Sequence, residues 1–246
     1  MSEQKNQLLR LPLHTMAILF DLDDTLYSRD KTFRAWARTF MQTHAIVADS
    51  TSTQDVLEHL IELDGYGFTP RSTFFTTLRA TYPSVQPTND QLVEAFYDQF
   101  HLHLHMEAAM EPLLHALRDA QIPFGIITNG SIHQQKKIDA LGLGQLTSCI
   151  FISQVFGAQK PDPAIFLAAA ACLGVDPEKV LFVGDHPTYD IWGARSVGMK
   201  TVWIERFHAW PESLARDTAD ITVTSLTELC TLLGIPPAMP GVLKQR

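Results

Sequence analysis

Cysteine is scarce in this chain, with three in 246 residues. Cys149, Cys172 and Cys230 have no C-x-x-C spacing, which removes the common zinc-ribbon and dithiol redox patterns. Each lies among apolar residues and their number is odd, so the sequence reads as carrying buried free thiols in a reducing compartment. No apolar run reaches the ~20 residues that a bilayer-spanning helix needs. The most apolar helix-like stretch, 164–175, is short and Ala-rich. Positive charge is also in deficit. Lys and Arg number 19 against 27 Asp and Glu, a formal net charge of −8. That balance argues against a nucleic-acid or anionic-membrane surface. An anionic substrate stays open, because a bound cation can set the local sign. No internal repeat is present. The N-terminal apolar stretch is broken by Arg10, Pro12 and His14, so no signal peptide is expected and the expected location is the cytoplasm. Finally, 31–105 contains no convincing β-branched strand.

What is present starts with the apolar run 16–20, which reads as a fully buried strand. It ends in Asp21-Leu22-Asp23-Asp24-Thr25. Three carboxylates within four residues repel one another, so the stretch calls for a cation. Asp21 and Asp23 point the same way if strand geometry persists. Such oxygen donors suit Mg²⁺, which takes a few carboxylates plus substrate phosphate. A carboxylate held there can be a nucleophile and its neighbour a general acid. Taken alone, a strand-to-turn junction with Asp as turn former accounts for the same residues.

Helical periodicity takes over after a turn at 26–30. Phe33, Trp36, Ala37, Phe40 and Met41 recur at i, i+3, i+4, i+7 and i+8. Val56–Leu63, Phe74–Leu78 and Leu92–Phe100 suggest three more helices, with Gly65-Tyr66-Gly67 as a break after the second. Beyond Glu111-Pro112 the pattern alternates. Strands are expected at 123–128, 149–153, 180–183, 201–204 and 221–223. Helices are expected at 113–120, 132–141, 161–173, 191–197 and 226–233. Buried strands alternating with helices mean an α/β fold, a doubly wound, Rossmann-like parallel sheet with an inserted four-helix cap domain. The expected boundaries are 15–27 and 111–235 for the catalytic core and 28–110 for the insertion, with tails at 1–14 and 236–246.

In such a sheet, ligands bind beyond the carboxyl ends of the strands. The second strand is followed by Thr128-Asn129-Gly130-Ser131, an anion cradle or a plain helix N-cap. The third is followed by Lys160-Pro161-Asp162, whose Lys is a point charge for phosphate or a solvated loop residue. The fourth is followed by Gly184-Asp185, with Asp190 in the next turn. Asp185 could complete a hard-cation site and Asp190 orient it, or both could belong to a turn. Because the four signals follow successive strands, they converge on one sheet edge. A metal between carboxylates, an anion cradle and a Lys is suited to phosphoryl transfer.

Together these motifs resemble the haloacid dehalogenase-like hydrolase superfamily: Asp-x-Asp-x-Thr at 21–25, hydrophobic-Thr-Asn-Gly at 128–130, Lys before Pro-Asp at 160–162, and Gly-Asp-x₄-Asp at 184–190. The helical insertion after the first strand is similar to that of its capped small-metabolite phosphatases. The resemblance implies that Asp21 is the nucleophile, forming an aspartyl-phosphate, and that Asp23 is general acid and then base. It implies that Thr128 and Lys160 hold the phosphoryl group with Asn129 assisting. Mg²⁺ would be bound by Asp21, the carbonyl of Asp23 and Asp185, with Asp190 supporting. The implied partner is a small phosphorylated metabolite, with no nucleic acid and no membrane, and the chain a monomer or homodimer. A phosphosugar mutase shares both motif Asp residues. A 2-haloacid dehalogenase lacks the second, and a receiver-like signalling module is about half this length.

Other residues complete the expectations. Tyr66 and Gly67, in the break of the insertion, read as a substrate-specificity turn or an interhelical turn. Arg29, Arg34 and Arg71 are candidates for an acidic leaving group. His101, His103 and His105 alternate, which on a strand would suggest zinc; their position reads instead as a solvated hinge. The connections 28–31 and 105–111 are the expected hinges. Trp192 and Trp203 are expected in the core.

Overall fold

The computed structural model describes residues 11–46, 52–215 and 218–235; the tail expected at 236–246 lies outside them. The chain forms two compact units, one of residues 1–27 and 106–246, the other Ser28–His105. Residues 106–110, expected in the insertion, fall with the sheet unit.

The sheet unit is built on six parallel strands: β1 (Ala17–Phe20), β2 (Phe124–Thr128), β3 (Ile150–Ile152), β4 (Val180–Gly184), β5 (Lys200–Ile204) and β6 (Ile221–Val223). Their order is β3-β2-β1-β4-β5-β6. β1, β2 and β4 lie at the centre and every residue in them is buried, which is why they read as unbroken apolar runs rather than alternating ones. The order reverses direction beside β1, where a doubly wound sheet opens its ligand crevice.

Helices of this unit carry the expected stripes. α5 (Met110–Asp119) buries Met110, Leu113, Leu114 and Leu117 at i, i+3, i+4 and i+7. α6 (Gln134–Ala140) follows β2, and α7 (Ser153–Phe156) follows β3 directly. α8 (Pro163–Leu173) packs Ile165, Phe166, Ala169 and Ala170 with Leu19, Ile127, Val180 and Phe182. Its start is fixed by Pro163 and by the Asp162 carboxylate, which accepts from Ala164 N–H; Gly174 ends it in a left-handed conformation. After β4 a π-type turn, Pro187–Trp192, precedes the short α9 (Gly193–Ser196), and α10 (Leu226–Leu232) closes the unit. The wide turn changes which residues face inward. Trp192, expected in the core, is 45% exposed, whereas Trp203 is buried.

Two of the three cysteines are paired. Cys149, just before β3, and Cys172, near the end of α8, form a disulfide with Cα atoms 5.9 Å apart. This corrects the expectation of three free thiols and removes its support for a reducing compartment. Cys230 is free and buried. No helix of the described residues is long and apolar enough to cross a membrane.

The helical unit contains α1 (Arg29–Thr43), α2 (Thr53–Asp64), α3 (Arg71–Thr81) and α4 (Asn89–Gln99). Ser28 caps α1, and capping boxes from Ser52 and Thr88 open α2 and α4. The core is aromatic. Trp36 stacks on Phe40 at 5.0 Å and meets the edge of Phe96 at 4.8 Å, each such pair adding ~0.5–1.5 kcal/mol beyond burial. His101 and His103 lie in a 3-10 turn, Phe100–His103, so the alternating histidines do not line a strand.

The three candidate arginines are engaged inside this unit. Arg29 reaches Asp64 with two hydrogen bonds of 2.7 and 3.0 Å, and Arg71 meets the same carboxylate at 2.7 Å. Burial alone would raise the Asp64 carboxyl, but the two guanidiniums hold it below its ordinary value. Arg34 pairs with Asp30 and Glu58. The Arg29 guanidinium packs under the turn Gly65–Gly67: a Cβ on Gly67, whose φ is +91°, would stand 2.7 Å from the Arg29 Cζ. Between the two glycines, Tyr66 adopts φ 53° and is 45% exposed.

Candidate active site

Four strand ends of the sheet unit bring the motif residues together. Asp21 leaves β1 with its N–H bonded to the Val183 carbonyl of β4 at 2.9 Å. Thr128 ends β2, and Gly184 ends β4 just before Asp185. Asp190 lies in the π-type turn that follows. It approaches the strand so closely that a Cβ on Gly184 would stand 2.5 Å from its carboxylate, so only glycine fits there. The second Asp190 oxygen is held by the His186 N–H at 3.0 Å.

Lys160 lies in the loop between α7 and α8. Its side chain is 2% exposed, and its ammonium lies 2.6 Å from both Asp21 Oδ1 and Asp190 Oδ1. The loop is anchored by Asn129, whose Oδ1 accepts from Lys160 N–H at 2.8 Å and whose Nδ2 donates to the Lys160 carbonyl at 2.9 Å. Both ends of the Asn129 amide are therefore used in presenting Lys160. The cis Lys160–Pro161 bond follows directly.

Asp21, Asp185 and Asp190 each offer a carboxylate oxygen within 4.8 Å of the others, and all three are buried. One ammonium does not balance three such groups. Burial, opposed by Lys160 and reinforced by Asp190 and Asp23, raises Asp21 from an ordinary 3.8 to about 7. Asp185 is raised well above its ordinary value by burial and then by Asp21, Asp190 and Asp24. Burial would lower Lys160, but Asp190 and Asp21 hold it above its ordinary value. Hard, buried, mutually repelling oxygen donors are the chemistry of a divalent cation site, and they fit Mg²⁺.

The Asp23 side chain points elsewhere. Lys137 Nζ lies 2.6 Å from its Oδ1 and Gln134 Nε2 lies 2.6 Å from its Oδ2. The Tyr27 hydroxyl donates to Oδ1 as well. Gln134 Nε2 is also 2.6 Å from Thr128 Oγ1. These three partners were absent from the expected site. The signal that could have found two of them is their i, i+3 spacing, which sets Gln134 and Lys137 on one face of the helix after β2. His208 approaches Asp185 at 3.6 Å and packs at a tilt against His186, whose imidazole burial pushes down to about 4.

The family model for haloacid dehalogenase-like hydrolases matches residues 15–198. The chain belongs to the haloacid dehalogenase-like hydrolases. Among relatives, a glyceraldehyde 3-phosphate phosphatase of Methanopyrus kandleri is 33% identical over 195 residues, 77% of this chain and 84% of its own. An N-acetylmuramic acid 6-phosphate phosphatase of Pseudomonas aeruginosa is 27% identical and covers 88% of this chain and 94% of its own. Among solved structures, a HAD phosphatase from Thermococcus onnurineus is similar with a TM-score of 0.59 and 27% identity, covering 91% of this chain and all of its own. The matched region takes in Asp21, Asp23, Thr128, Asn129, Lys160, Asp185 and Asp190, whereas His208 lies beyond it.

Proposed function

We propose that this haloacid dehalogenase-like hydrolase is a Mg²⁺-dependent phosphatase that removes the phosphoryl group of a small metabolite through a covalent phospho-Asp21. Hydrolysis of phosphoric monoesters is the reaction of its phosphatase relatives. The observation that carries the finer reading is the Lys160 ammonium 2.6 Å from Asp21, beside two further buried carboxylates and opposite a second, separately held aspartate. Asp21, Asp185, Asp190 and the Asp23 carbonyl are the residues assigned to Mg²⁺. When bound, the ion supplies charge neutralisation for the phosphoryl oxygens and for the nucleophile.

The chain's own residues then do the following. An Asp21 carboxylate oxygen attacks phosphorus, and the bond from phosphorus to the leaving oxygen breaks. Asp23 gives its proton to that oxygen, so an alcohol departs. A water molecule then attacks the phosphoryl group on Asp21 while Asp23 takes back a proton. The bond between the Asp21 oxygen and phosphorus breaks, releasing inorganic phosphate. Positioned proton transfer of this kind is worth ~10²–10⁴-fold. Lys160 offsets phosphoryl charge, Thr128 binds a phosphoryl oxygen, and Asn129 keeps Lys160 in place. Substrate selectivity is assigned to the helical unit through Tyr66, exposed on a turn whose backbone Arg29 braces at Gly67.

A screen of phosphorylated metabolites with and without chelator tests this reading. Turnover that chelator abolishes, that Mg²⁺ restores and that Asp21→Asn lacks is the expected result. Turnover of any phosphomonoester by Asp21→Asn at an appreciable rate would overturn it.

A further inference from the structure

We propose that Lys137 and Gln134 are positioning residues for Asp23, fixing the direction in which that aspartate passes its proton. The inference rests on the phosphatase reading above and adds to it two residues outside the four motifs. Asp23 is not in a strand; it lies in the turn after β1, and its side chain is 22% exposed. A carboxylate in such a place has two free torsions and a choice of two oxygens. Here both oxygens are taken up. Lys137 and the Tyr27 hydroxyl hold Oδ1, and the Gln134 amide holds Oδ2. A group gripped at both oxygens by donors of different kinds keeps one plane and one orientation.

The grip is referenced to the phosphoryl site. The Gln134 amide that holds Asp23 also bonds Thr128 Oγ1 at 2.6 Å and reaches the Asn129 carbonyl at 3.4 Å. Asp23 is thus tied to the residue that ends β2. Lys137 sits one helical turn further on the same face of α6, and its ammonium lies 5.6 Å from the Tyr27 ring centroid. The cation, the phenol and the amide together form a bracket carried by a helix that starts six residues after a central strand's last position. For proton transfer the acid must come within hydrogen-bond reach of the leaving oxygen, and such a bracket fixes where the carboxyl sits. A displacement of ~1 Å can cost ~10²-fold in rate.

The test compares Lys137→Ala, Lys137→Arg and Gln134→Ala with the parent enzyme. Each is assayed on the best alkyl phosphate from the screen and on p-nitrophenyl phosphate, whose leaving group needs little protonation. Lys137→Ala should lower kcat on the alkyl substrate ~10–100-fold, in line with other orienting partners. KM should stay near the parent value, the aryl substrate should lose much less, and Lys137→Arg should recover part of the rate. Gln134→Ala should follow the same pattern. In an Asp23→Asn background, Lys137→Ala should cost nothing further, because the group it orients no longer transfers a proton. A raised KM at constant kcat would overturn the proposal in favour of substrate binding. Equal losses on both substrates with a lowered melting temperature would overturn it in favour of a structural role. The underlying reading fails separately: Asp23→Asn would then lose equally on alkyl and aryl substrates. A normal Asp23→Asn effect beside a silent Lys137→Ala would sink only the positioning role.

Discussion

Replacing the buried Asp21 carboxyl with an amide should change how stability depends on pH. In the metal-free protein, burial and neighbouring carboxylates raise Asp21 from 3.8 to about 7. Folding therefore favours its protonated form. The stability this confers is fully present below ~pH 4 and is lost as pH rises through about 7. A gap of ~3 pH units at ~1.4 kcal/mol each gives a loss of ~4 kcal/mol. Asparagine has no proton to lose. In chelator, the unfolding free energy of the parent minus that of Asp21→Asn should thus fall by ~4 kcal/mol from pH 4 to pH 8. The difference is the quantity to measure, because His186 acts in the opposite sense. Its value is pushed down from 6.5 to about 4, so its contribution is present at high pH and is lost as pH falls from 6.5 toward 4. That contribution is common to both proteins and cancels. Asp185 is raised partly by Asp21, so removing the Asp21 charge relaxes it and enlarges the difference in the same direction. Lys160 stays charged throughout the window, since its value lies above 10.5. Urea titrations followed by tryptophan fluorescence would give the curve, with Trp203 buried in the sheet unit as one reporter. Mg²⁺ should flatten the dependence. A difference that is constant with pH in chelator, or that rises, would refute the idea that Asp21 is a buried carboxyl that Lys160 compensates only in part.

Three other outcomes follow from the geometry. Gly67→Ala should crowd the Arg29 guanidinium away from Asp64 and destabilise the helical unit by ~1–3 kcal/mol, less than the loss of a sole partner because Arg71 still meets that carboxylate; an unchanged urea midpoint would count against the bracing contact. Reducing the Cys149–Cys172 bond, which spans 23 residues, should lower stability by ~3 kcal/mol, whereas a Cys149→Ser/Cys172→Ser variant should be indifferent to reductant; a parent melting curve unaffected by reductant would contradict the pairing. Tyr66→Ala should alter kcat/KM unequally among metabolite phosphates while leaving p-nitrophenyl phosphate nearly untouched, and a proportional loss on all substrates with a lower melting temperature would make Tyr66 a structural residue.

Particular residues explain what could be read from the chain in one dimension. α1 was legible because Phe33, Trp36, Ala37, Phe40 and Met41 mark one helix face, and the same five are buried. The central strands were legible because burial on both faces leaves them apolar throughout, save for Thr128 at the end of β2. The strand-end acids stood out because carboxylates next to such runs carry a solvation cost that a turn alone does not explain. The disulfide was not legible, since its pairing depends on how the crossover from β3 returns the end of α8 to the sheet. Trp192 was misread because the π-type turn shifts the inward face. Arg29 and Arg71 read as candidates for an acidic leaving group, because their shared partner, Asp64, is brought between them only by the packing of α1, α2 and α3. Gln134 and Lys137 went unnoticed: their i, i+3 spacing sets them on one helix face, but the sequence does not say toward which group that face is turned.

The helical unit leaves the chain between strands that are already neighbours. β1 and β2 pair directly, and the chain's exit and return are closed by a bridge between Tyr27 and Met106. One residue further out, Ser28 N–H donates to the His105 carbonyl at 2.9 Å. A detour with its two ends zipped together is a cassette. Its length and composition can change without altering the order, register or pairing of any strand. Under the function proposed above, the residues assigned to phosphorus and those assigned to the rest of the substrate can then change separately, because a swap at the neck rewrites the second set and leaves the first untouched.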